Sequence, residues 1–132
     1  MIINKSEFAT LLSIASKCST NNRMIPTSSL MCISLENNRL MLETTDGLNF
    51  LYMFADVGGD DLYAVVQTSL ITAIVSKMNC EKIELEALDG VLYIRDLTKK
   101  NSEYKFPMTL DEDGNVIKYP DPCKYRVFDI SA

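Results

Sequence analysis

The sequence predicts an α+β fold of two pseudo-repeated strand, helix and three-strand units, with two helices packed on antiparallel sheets. Two amphipathic helical stretches, residues 6–17 and 69–78, each follow a short apolar run and precede alternating segments. Each unit carries a hairpin signal, Asn37-Asn38 in the first and Asp89-Gly90 in the second. The helical stretches open at Ser6 and Ser69, 63 residues apart, so the second unit reads as a copy of the first.

Taken in order, residues 1–4 read as a short strand. In "SEFATLLSIASK" (6–17), Phe8, Leu11, Leu12 and Ala15 share one helical face, and Ser6, Thr10, Ser13 and Lys17 the other. After a loop with Pro26, "LMCISLE" and "LMLETT" alternate on either side of Asn37-Asn38, and "LNFLYMF" (48–54) alternates again. Downstream, "LYAVVQ" (62–67) is the strand of the second unit. "SLITAIVSKM" (69–78) puts Leu70, Ile71, Ile74, Val75 and Met78 on an apolar face. "KIELEAL" and "VLYIRD" flank Asp89-Gly90, and "SEYKFPM" (102–108) supplies the last strand.

The repeat also bears on the closing stretch, "YRVFDISA". One further period lands near Ser131, with Val127-Phe128 standing where Ile2-Ile3 stand in the first unit. The expectation is one domain over 1–110, a linker over 111–124 rich in Asp, Pro and Gly, and the start of a second, truncated domain over 125–132.

Composition narrows the function classes. With 132 residues, 47% of them hydrophobic, the chain has the length of one domain with its own core. No apolar run nears the roughly 20 residues that span a bilayer, and "MIINKSEF" lacks signal-peptide order, so a soluble cytoplasmic protein is expected. The four cysteines (Cys18, Cys32, Cys80 and Cys123) are widely spaced without a C-x-x-C pair, which speaks against a zinc site or disulfide framework. There is no histidine, nucleophile motif, phosphate loop or paired-carboxylate spacing, and no cofactor is implied. "DEDGN" (111–115) starts like a calcium loop, but position 12 would be Pro122 instead of the required Glu. Asp56, Asp60 and Asp61 beside Gly58-Gly59 read as a solvated loop, and "TTDG" (44–47) as a turn.

A net charge of −5 is the wrong sign for bulk attraction to nucleic acid, so any DNA contact must be local. The polar faces of the two helices are made mainly of Ser and Thr, with Lys17 on the first and Lys77 on the second, and Glu7 as the acidic exception. Such a face can lie along a phosphate backbone without gripping it.

Five segments together carry a family resemblance: "MIINKSEFATLLSIASK", "NRMIPTSSLMCISLENNRLMLETTD", "AVVQTSLITAIVSKMN", "KIELEALDGVLYIRD" and "SEYKFP". Their order, spacing and full coverage resemble the N-terminal domain of the bacterial sliding clamp, the beta subunit of DNA polymerase III. Asp46 matches the family, and "FDISA" matches the start of the family's second domain. The resemblance implies a DNA-clamp fold and a DNA replication processivity factor. Two three-domain chains form a ring-shaped homodimer around duplex DNA, with helices lining the hole, sheets outside and no catalytic site. It implies contact with the third domain of a neighbouring subunit. The DNA polymerase III catalytic subunit and the clamp loader would bind through domains absent here.

The expected DNA contacts are Lys17 and Lys77 on the helix faces, with Arg23, Lys99 and Lys100 lying beside positions where the resemblance implies basic residues. The register from Pro26 puts Asn22 at the family's Arg position, with Arg23 beside it. The family's adjacent basic pair near the end of the second helix is Ser76-Lys77 here, and its basic residue in the "SEYKFP" segment is Glu103, with Lys99 and Lys100 just upstream. A free-standing interaction module of clamp-like fold, binding a replication protein without encircling DNA, is the alternative reading.

Overall fold

Apolar and polar residues alternating with period two, closed by residues that tolerate left-handed backbone, build most of this molecule. The computed structural model describes residues 1–20, 26–97 and 102–108. Along the chain run β1 (Ile2–Asn4), α1 (Lys5–Ala15), two 3-10 turns (Ser16–Cys18 and Pro26–Ser29), β2 (Leu30–Glu36), β3 (Arg39–Thr45) and β4 (Phe50–Asp56). Then come β5 (Leu62–Gln67), α2 (Thr68–Lys77), β6 (Lys82–Leu88), β7 (Val91–Asp96) and β8 (Glu103–Pro107). The linker over 111–124, the stretch over 125–132, "DEDGN" and Cys123 lie outside the described residues.

Both hairpins form where expected. Asn37 and Asn38 have φ of 53° and 62°, and Asp89 and Gly90 have 51° and 76°, the left-handed values a tight two-residue turn requires. β4 starts two residues later than its alternation suggests. Asp46 claims the intervening residues: its Oδ1 accepts the Leu48 and Asn49 amides at 2.8 and 2.7 Å. These bonds, led by the one from Asn49, hold the Asp46 carboxyl below its ordinary range.

The helices start at Lys5 and Thr68, one residue before the expected Ser6 and Ser69, and the 63-residue spacing is kept. Neither Asn4 nor Gln67 makes a side-chain cap bond. The Lys5 amide donates instead to the Glu81 carbonyl at 2.8 Å, so this helix start is anchored by the chain ahead of β6. Leu70, expected on the apolar face, is 43% exposed. One residue of helical rotation from buried Ile71 is about 100°, which carries it to the flank.

The two units do not each form a sheet of their own. The strand order is β1-β6-β7-β8 in one sheet and β4-β3-β2-β5 in the other, every pairing antiparallel. The strand that opens each unit is thus lent to the sheet of the other: Ile3 pairs with Ile83, and Cys32 with Val65. The main core spans the halves, joining Phe8, Leu12, Ile71 and Val75 of the helices to Ile33, Leu42, Ile83 and Ile94 of the two sheets, and Leu30, Cys32 and Val65 form a small separate cluster. Among the described residues no helix is long and apolar enough to cross a membrane, and no cluster of metal-ligating side chains occurs.

Candidate nucleic-acid interface

The two helices pack antiparallel on the core side of the sheets. Lys5 Nζ, at the start of α1, reaches the Ser76 carbonyl near the end of α2 at 3.5 Å. At the other end Ser19 Oγ donates to the Ser28 carbonyl at 2.7 Å and lies 3.1 Å from Thr68 Oγ1, the first residue of α2. Phe8, Leu12 and Ala15 of α1, and Ile71 and Val75 of α2, are buried beneath this layer.

The outward surface is the hydroxyl-rich face expected from the sequence. Ser6, Thr10 and Ser13 of α1, and Ser69 and Ser76 of α2, are exposed. Several hydroxyl protons are spent within the helices: Thr10 Oγ1 donates to the Ser6 carbonyl, Ser16 Oγ to Ser13 and Ser76 Oγ to Ala73, at 2.8–2.9 Å. Small side chains tied back in this way leave a smooth surface and few free donors. A groove of about 680 Å³ runs between the first 3-10 turn and the opening of α2, walled by Ser16, Ser19, Thr68, Ser69 and Thr72 among others.

The cations occupy the ends of this layer. Lys17 lies in the 3-10 turn that extends α1, and Lys77 closes α2; both are exposed, and neither is ion-paired among the described residues. Because the helices run antiparallel, the two ammonium groups stand at opposite ends of the pair, separated by about the 15 Å length of a ten-residue helix. Arg23, Lys99 and Lys100 lie outside the described residues.

Both surfaces carry charges of either sign. Lys5, Lys17, Lys77, Glu7 and Glu81 lie on or beside the helix layer. On the outer face of the β1-β6-β7-β8 sheet, Arg95 sits among three carboxylates: Glu103 at 2.6 Å, Glu84 at 3.1 Å and Glu86 at 3.5 Å. The hydrogen bond to Glu103, then that to Glu84, holds the Arg95 guanidinium above its ordinary value. Glu103 is therefore engaged on the face opposite the helices. Sequence reasoning missed this cluster; the period-two spacing of Glu84, Glu86, Tyr93 and Arg95 was its visible trace.

No family model and no curated protein matches the sequence. Solved structures do match the fold. The Helicobacter pylori beta clamp in complex with carprofen aligns at a TM-score of 0.72 and 19% identity, over 98% of this chain and 32% of that one. The Pseudomonas aeruginosa DNA polymerase sliding clamp aligns at 0.74 and 14% identity, over 92% of this chain and 31% of that one. The Bartonella birtlesii sliding clamp, a DNA polymerase III subunit beta, aligns at 0.72 and 18% identity, over 81% and 30%. The chain spans about a third of the length of these clamps. The two helices and two four-stranded antiparallel sheets match one clamp domain.

Proposed function

We propose that this chain is the N-terminal domain of a ring-shaped sliding clamp, a non-catalytic processivity factor that encircles duplex DNA and tethers a replicative polymerase. The observation that carries the reading is a helix layer whose exposed surface is made of hydroxyls, with Lys17 and Lys77 at its two ends. A duplex running past the helix layer meets Lys17 and Lys77 locally, a contact that does not need a positive net charge. Lysines at opposite ends of a hydroxyl-lined surface supply weak, sequence-independent phosphate contact, suited to sliding.

Ring formation would use the sheet margins. β4 and β8 each have one neighbouring strand among the described residues, and stand at the far ends of the two strand orders. Such edges are ready to pair with adjacent domains. On this reading the parent chain has a domain over 1–110, a linker over 111–124 and a second domain opening at 125–132. That second domain and a third after it would carry the sites for polymerase and clamp loader. A second, clamp-like subunit would close the ring.

The sparse basic residues favour one other reading, an interaction module that binds a replication protein without encircling DNA. Topology separates the two. The parent protein, loaded on nicked circular DNA by its loader, is expected to co-elute with the circle in gel filtration and to run off once the DNA is linearised. Retention that ignores linearisation, or no retention on the circle, would reject encirclement. The intact mass of the native product, near three times this fragment for a three-domain chain, is the companion measurement.

A further inference from the structure

The face of the β4-β3-β2-β5 sheet turned away from the core carries a surface that the proposed function does not use. Register sets Phe54 opposite Met41, Met41 opposite Ser34 and Ser34 opposite Tyr63, so one row of side chains crosses all four strands. Their strand neighbours Leu35, Leu40, Ala55 and Leu62 belong to the core or pack on it, which places the row outside. Phe54 and Tyr63 are 49% and 44% exposed.

The Phe54 ring is held from two sides: Tyr52 stacks on it with centroids 6.4 Å apart, and the Arg39 guanidinium lies 4.3 Å over it. Beside this row, between β2 and the start of β5, a cavity of about 280 Å³ opens, lined by Ser34, Tyr63, Glu36 and Asp61 with Leu35 and Leu62. Glu36 and Asp61 are exposed, and neither forms an ion pair among the described residues. Asp56 and Asp60 add negative charge near the same end of the sheet, while Arg39, the nearby cation, is turned onto Phe54.

We infer that this face docks a partner peptide that is both basic and apolar. An arginine or lysine sits between Glu36 and Asp61 against the Tyr63 ring, and an apolar side chain lies on Phe54 and Met41. Charge complementarity selects this occupant: two carboxylates without ion-pair partners and an aromatic ring attract a cation without first breaking a pair. The same carboxylates repel a phosphate backbone. The pre-held Phe54 ring offers apolar area at little ordering cost. The inference does not depend on ring formation.

A display library of random peptides panned against the chain, with Glu36→Lys/Asp61→Lys as counter-target, tests it. Retained peptides are expected to place Arg or Lys beside an aromatic or aliphatic residue. They should bind Glu36→Gln/Asp61→Asn about tenfold or more weakly, the effect of losing a close charge partner. Tyr63→Ser should weaken them likewise, and salt should weaken them further. Circular dichroism checks that each variant folds. No retained peptide, peptides without basic residues, or equal binding to the carboxamide variant would overturn the inference. So would concentration-dependent self-association abolished by Phe54→Ser, which would give the face to a second copy.

Discussion

Replacing Lys17 and Lys77 by Ala is the most direct test of the proposed nucleic-acid interface. Their ammonium groups stand at opposite ends of the antiparallel helix pair, about 15 Å apart by helix length, too far to share one phosphate. Each should release its own counterion from duplex DNA. The slope of log Kobs against log salt falls by about 0.9 for every phosphate no longer neutralised, hence by about 1.8 for the pair. Over a fourfold rise in salt, the variant should therefore lose about 12-fold less affinity than the unaltered protein does. The assay is equilibrium binding of a labelled duplex at several salt concentrations, followed by fluorescence anisotropy. Adding Arg23→Ala should remove about 0.9 more. Sequence preference should not change, because phosphate contacts carry none. An unchanged slope in the double variant would refute the placement of DNA along the helix layer. So would an equal fall produced by Lys105→Ala, on the opposite face.

Three other predictions concern the fold. Leu12→Ala, at a site with 0% exposure in the core shared by both sheets, should cost about 2–5 kcal/mol; urea unfolding followed by circular dichroism measures it. Gly59 has φ of +147°, and a Cβ there would stand 3.0 Å from Met1 Cα, whereas one at Gly58 meets nothing within 4 Å. Gly59→Ala should therefore lower Tm while Gly58→Ala leaves it nearly unchanged, and equal Tm values for the two variants would contradict the close approach. Asp46, its pKa depressed in the folded state by the Asn49 and Leu48 amides, contributes stability that is present above its unfolded pKa, about 4, and vanishes as pH falls through the lower folded value. The Tm gap between the native chain and Asp46→Ala should accordingly close on acidification; a gap independent of pH would assign it to something other than the ionised carboxyl.

The elements were legible because their causes are local. Asn37-Asn38 and Asp89-Gly90 favour left-handed backbone whatever surrounds them, and the helical spacing of Phe8, Leu12 and Ala15 marks the buried face before any partner is known. The later start of β4 has a local cause as well, but one that runs through the side chain of Asp46, which alternation does not weigh. Leu70 departs from expectation because an apolar residue at the margin of a helix satisfies the periodic pattern without being covered.

Of the candidate contacts, Lys77 closes α2 as the helix pattern put it, whereas Lys17 lies in the 3-10 turn just past the end of α1. That they occupy opposite ends of the helix layer followed only from the antiparallel packing. Glu103, a departure from the family visible in the sequence, gained its explanation only from the sheet, which brings Arg95 to 2.6 Å.

By itself, then, the sequence determined the elements, their turns, their buried faces and a repeat of 63 residues. Which strand lies beside which was decided by the tertiary structure. Alternation says that Ile3 and Val66 are built to be covered, but it is silent on the neighbour, and contiguous units would have been the simple guess. The observed exchange, β1 into the sheet of the second unit and β5 into that of the first, joins residues as far apart as Ile2 and Glu84. Such pairing is selected by the burial of one common core and by backbone hydrogen bonds that any sequence can make. For the same reason the row from Phe54 to Tyr63 and the ring of carboxylates around Arg95 exist only once the sheets are assembled.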